Sequence, residues 1–171
     1  MAQSIPVQKL DAQLNRTRLS ADDFKEASEY IKYISEVGDN DVLKRALLTA
    51  AVVCYARPFT NNQSVRTEES TSQLSVSPKK IFKTDELMLH EKLLALRNEA
   101  VAHTEYNRKP VKRLEGTPSG FVMSGKLFDL VSERIDLALF NEMCSALNSH
   151  CVRTMFELND KIVEADSESK S

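Results

Sequence analysis

Apolar residues recur at three- and four-residue steps through most of the 171-residue chain, the period of amphipathic helices rather than the alternation of strands. The plainest case is Thr84 to Tyr106, where Leu87, Leu94 and Val101 repeat every seven residues and Leu89, Leu93, Leu96 and Ala100 fill an adjacent stripe. Thr84 is placed to cap this helix, and Asp85, Glu86 and Glu91 put negative charge toward its positive end. Ahead of it, Val7, Leu10 and Leu14 predict a first helix to Leu19. Ser20 and Asp23 have capping-box spacing, so a second helix is expected from there, with Phe24, Ala27, Ile31, Ile34 and Val37 on its buried side and Gly38 as its stop. Asp39, Asn40 and Asp41 then open a helix from Val42 to Arg57 that is apolar on nearly every side and therefore central, and Pro58 ends it.

Between these helices the pattern lapses twice. Residues 60–83 are rich in Ser, Thr, Asn and Gln and predict a long polar loop, with one short helical turn near Ile81 and Phe82. Residues 107–125 contain two prolines and three glycines, so a short β-hairpin-like or irregular insert is expected there, drawing on Leu114 and Phe121 to Met123. Helical spacing resumes from Phe128 to Val163, with a break near Ser132. Its buried side is expected from Leu130, Ile135, Leu139, Met143, Ala146 and Leu147, then Val152, Met155, Phe156 and Leu158. Residues 164–171 form a polar tail expected to fray. The whole reads as one all-α domain over residues 1–171.

Composition agrees with helices: 42% of residues are hydrophobic, only four are glycine and none is tryptophan. A net charge of −2 excludes the basic field of a protein that coats nucleic acid, so any such contact must be local. The first residues lack the apolar core of a signal peptide, and no apolar run approaches the roughly 20 residues needed to span a bilayer; a cytoplasmic protein without membrane segments is expected. Cys54, Cys144 and Cys151 sit inside helical patterns without zinc-type spacing and are expected as reduced, buried thiols. His150 has no third ligand-type residue at a helical step, so no metal site is expected. Tyr30 and Tyr33 are either core rim or a ligand platform.

The candidate chemistry is at the end of the Thr84–Tyr106 helix, in Arg97, Asn98 and His103. RNA is cleaved without metal when a base removes the ribose 2′-OH proton, the oxygen attacks the adjacent phosphorus, and a cation holds the added charge. His103 has an unperturbed pKa near neutrality and suits the acid/base role. Arg97 presents a permanently charged planar fork to phosphate oxygens, and Asn98 is placed to orient either partner. His90, one heptad before Arg97, either lines this cleft or rims the core. Arg57 is either a cation near the negative end of its helix or a second phosphate-binding arginine. Arg108, Lys109, Lys112 and Arg113 form either a solvated loop or a grip on an RNA backbone. On a uniform α-helix, six residues turn through about 600°, so Arg97 and His103 point about 120° apart. One helix does not easily close both on a single phosphate.

The Arg97-Asn98-x4-His103 pattern, within HEKLLALRNEAVAHTEY and after the Arg57-Pro58-Phe59 turn, resembles the signature of the HEPN superfamily, in a bacterial branch. That resemblance implies a helical bundle of four to five helices and a homodimer that brings two motifs to a shared cleft. It further implies a metal-independent endoribonuclease of the toxin or host-defence type, with Arg97 and His103 catalytic, RNA as substrate, no cofactor, and a cognate antitoxin protein as partner. It equally admits a non-catalytic module that binds RNA, a nucleotide or a partner protein.

Overall fold

A computed structural model describes residues 7–60, 74–101, 111–113, 123–125 and 130–168; for 99–101, 111–113, 123–125, 131 and 168 it describes the backbone alone. Among the described residues four α-helices make the fold: α1 (Val7–Glu36), α2 (Asp41–Ala56), α3 (Thr84–Ala95) and α4 (Leu137–Glu168). The long helices α1 and α4 lie against each other, α1 also packs on α2, and α3 joins through α2 and α4.

Two helices were expected where α1 runs unbroken for 30 residues. Ser20 does not cap a new helix; its hydroxyl donates back to the Arg16 carbonyl at 2.8 Å, as Thr17 does to Gln13, so both polar groups are satisfied without interrupting the chain. Leu10, Thr17, Phe24 and Ile31 recur every seven residues along the buried face, with Ser20, Ala27 and Ile34 between them. Phe140, Cys144, Leu147, Cys151 and Leu158 give α4 the same spacing, which suits two long helices packed at a shallow angle. Ser28 ties them by donating to Asn141 Oδ1 at 2.6 Å.

The end signals of α1 and α2 act as read. Gly38 takes φ +56° after α1, a left-handed turn that glycine adopts without a Cβ penalty. Asn40 Oδ1 accepts the Leu43 amide at 3.0 Å to cap α2. A tight turn, Arg57–Phe59, follows α2 around Pro58. Lys83 rather than Thr84 occupies the cap position of α3, where its amide donates to Glu86 Oε2 at 2.6 Å. The short turn expected near Ile81 falls at Pro78–Lys80, and Phe82 just after it is buried.

The expected HEPN-like bundle of four to five helices with a β-hairpin-like insert is thus corrected: the described residues form an all-α bundle of four helices, with no sheet layer among them. Of residues 107–125 the structure describes two three-residue segments, Val111–Arg113 and Met123–Gly125, in antiparallel register with Val111 opposite Gly125. A two-stranded ladder of that length lacks the area to form a structural layer.

The last helical region breaks as expected, but at a turn. Leu130–Glu133 forms a tight turn, Arg134 takes φ +48°, and α4 starts at Leu137 with Asp136 Oδ1 accepting the Leu139 amide at 3.0 Å. Two residues assigned to its buried side are not there: Val152 is 38% exposed and Phe156 70%. Helix α4 continues through Glu168, so most of the expected frayed tail is helical. No helix of the described residues is long and apolar enough to cross a membrane.

Candidate functional site

The Thr84–Tyr106 helix does not remain an α-helix. After Ala95 the chain widens into a π-helical turn, Leu96–Val101. Such i→i+5 turns are rare and concentrate at functional sites. Leu96 is buried and anchors the turn to the core, Arg97 is half-buried and Asn98 exposed. Arg97 Nη1 donates to Asn98 Oδ1 at 3.0 Å, so the two side chains act as one unit. Among the described residues no carboxylate pairs with Arg97. The 120° separation of Arg97 and His103 assumed 3.6 residues per turn, and the π-turn removes that premise. His103 lies outside the described residues, as do Arg108 and Lys109; of Lys112 and Arg113 only the backbone pairing with Ser124 and Met123 is described.

His90 lies in the core. It is 6% exposed, its Nδ1 is 2.8 Å from the Tyr55 hydroxyl, and the rings of Tyr55, Phe59 and Phe82 pack against it, Phe59 edge-on at 4.7 Å. Burial pushes its pKa below the usual value, against the nearby Glu91 carboxylate, which keeps the imidazole neutral. Its heptad relation to Arg97 holds only along a uniform α-helix, and the phase changes at Leu96.

Arg57 takes part in an ion cluster rather than standing free. Its Nη1 donates to Asp23 Oδ1 at 2.5 Å and its Nη2 to Cys54 Sγ at 3.8 Å. Cys54 in turn donates to Glu26 Oε2 at 3.4 Å, and Tyr30 to Glu26 Oε1 at 2.6 Å. Burial pushes the Asp23 carboxyl up, and the pull of Arg57 and Arg16 only partly offsets it. Arg16 reaches across from α1 to donate to the Arg57 and Pro58 carbonyls at 3.1 and 3.2 Å. It thereby caps the end of α2 with a cation, where the helix dipole favours one.

Sequence reasoning missed this cluster. Its signal was available in Asp23, Glu26 and Tyr30 at three- and four-residue steps on one face of α1, but Asp23 was assigned to a capping box. Asp23, Glu26 and Cys54 bring two carboxylates and a thiol within 4.8 Å of one another, a grouping capable of holding a cation. Here the Arg57 guanidinium is that cation. Burial pushes the Cys54 thiol up to about 11, which opposes the thiolate that a soft metal or a nucleophilic role requires. Cys144 and Cys151 are also free and buried. Tyr30 rims the core and Tyr33 is exposed. Comparison of the chain with protein-family models, with curated proteins and with solved structures gives no match.

Proposed function

We propose that the chain is a metal-independent endoribonuclease of the HEPN type, with the scissile phosphate held by Arg97 and the 2′-OH proton taken by His103. What supports this reading is Arg97 itself: half-buried on a π-turn, braced by Asn98, and without a carboxylate among the described residues to neutralise it. A guanidinium so held loses little side-chain freedom on binding a phosphate and offers it two parallel donors. Arg57 and His90, engaged by Asp23 and Tyr55, take no part in this reading. A second copy completes the site. The stripe of exposed Val152, Phe156 and Val163 along α4 supports such pairing, since their four- and seven-residue steps are those of a helix seam.

The non-catalytic reading is favoured by one observation: the part of the site within the described residues, Arg97 and Asn98, offers donors suited to a phosphate but no group that takes a proton near neutral pH. One experiment separates the two. Purified protein is incubated with single-stranded RNA in EDTA, alongside Arg97→Ala and His103→Ala, with binding followed by fluorescence anisotropy. Cleavage abolished by either substitution supports the nuclease. Binding without products, lost in Arg97→Ala but kept in His103→Ala, assigns the binding module. Cleavage that survives both substitutions excludes both readings of this site.

A further inference from the structure

Where the end of α1, the second turn of α2 and the entry to α4 meet, the surface opens into a cavity of about 330 Å³ lined by Ile34, Lys44, Leu48, Arg134, Ile135 and Leu137. Four walls are aliphatic, two are cationic and none is acidic. This volume is at the small end of those that take organic ligands, whose sites combine mostly apolar walls with a few polar groups that fix orientation.

Arg134 is also the one non-glycine residue among the described ones with a positive φ, +48°. A long side chain is uncommon in that conformation, and such a residue persists where its surroundings over-determine it. They do so from both sides. The preceding turn is anchored by buried Leu130 and by Lys92 of α3, whose ammonium donates to the Glu133 carbonyl and lies 3.9 Å from its carboxylate. On the other side, Asp136 is committed to capping α4. Glycine would meet the backbone requirement at this position without strain, so strain alone does not account for a guanidinium held at the cavity.

We propose that this cavity is a binding site for a small monocarboxylate with an aliphatic chain. Arg134 and Lys44 hold the carboxylate, and Ile34, Leu48, Ile135 and Leu137 enclose the chain. Among the described residues neither cation has a carboxylate partner. An uncharged apolar ligand would leave both cations unused, and a bare inorganic anion would leave the apolar walls unused. The site is separate from the Arg97 turn and does not rest on the RNA reading.

The test uses octanoate as probe and the full chain, by calorimetry and by amide chemical shifts. Saturable binding is expected, with shift changes at Leu48, Ile135 and Leu137. Loss of one charge-assisted hydrogen bond predicts roughly tenfold weaker binding in Arg134→Gln and in Lys44→Gln, and octanol should bind at least about tenfold more weakly than octanoate. Arg134→Gly should raise the melting temperature while weakening octanoate binding, a combination that a purely structural role for Arg134 would not produce. The proposal is overturned by absence of saturable octanoate binding in the millimolar range, by octanol binding as well as octanoate, or by unchanged affinity in both charge variants.

Discussion

The Tyr55–His90 hydrogen bond makes a test of whether this core is held by polar satisfaction as well as by apolar burial. Tyr55 is fully buried and His90 nearly so, and their 2.8 Å contact is enclosed by aromatic rings. Whichever ring nitrogen carries the proton, Tyr55→Phe leaves Nδ1 of His90 without its partner in a site water does not reach. The expected cost is about 1–3 kcal/mol, the penalty for an orphaned buried polar group. His90→Phe orphans the Tyr55 hydroxyl at a similar cost, with some overpacking added. The double variant has no orphan, so it should be more stable than the sum of the singles predicts, by about 1–2 kcal/mol.

A pH arm isolates His90. Its pKa is lowered by burial in the folded state, so below about pH 6.5 the unfolded chain takes up a proton that the folded one refuses. Stability from this group is therefore fully present above about pH 6.5 and is lost as pH falls from there toward the lower folded pKa. The greatest slope is about 1.4 kcal/mol per pH unit. The measurement is urea unfolding of the four proteins between neutral and mildly acidic pH, comparing wild type with the double variant so that carboxylate titrations common to both cancel. Additive single effects, or an equal loss of stability with acid in wild type and double variant, would refute the reasoning.

Other expectations follow from the same geometry. Arg57→Ala leaves a carboxylate in Asp23 whose side chain is 9% exposed, whereas Arg57 itself is 45% exposed. With solvent screening on one side and Arg16 nearby, the expected loss is about 1–3 kcal/mol rather than that of a fully buried pair, and Asp23→Asn in the Arg57→Ala background should restore part of it in urea unfolding. Asn40→Ala removes the α2 cap and should cost about 1 kcal/mol, a fall of roughly 2–4 °C in Tm; an unchanged Tm would mean that water replaces the cap. Gly38→Ala meets no atom within 4 Å, so its cost should be the left-handed backbone alone, about 1 kcal/mol, with no change in the spectrum of the core. Burial pushes Cys54, Cys144 and Cys151 up to about 11, 12 and 11, and none should react with a thiol reagent near pH 8 until the protein is unfolded in urea; rapid labelling of native protein would contradict this.

The all-α class and most helix ends were legible in the sequence because they depend on short-range physics. Gly38 after α1, Asn40 before α2 and Pro58 after it each act through the backbone of their own few residues, and the seven-residue step from Phe24 to Ile31, like the four-residue step from Leu89 to Leu93, needs only one apolar side to be meaningful. What the tertiary structure decided was which polar and apolar groups share an environment. Ser20 looked like a cap until its hydroxyl found the Arg16 carbonyl within a helix already stabilised by α4. Val152 and Phe156 looked like core because they keep the apolar spacing of α4, yet helices α1 and α2 do not cover that part of its surface. His90 and Arg57 looked available for chemistry, and each met a partner from a distant element, Tyr55 of α2 and Asp23 of α1. The widening of the chain at Leu96–Val101 also depends on packing, since Leu87 to Val101 satisfies an α-helical pattern throughout. Local pattern determines where helices begin, end and turn an apolar side inward. The partners of a buried charge or imidazole are set by residues dozens of positions away, and no spacing within one helix encodes them.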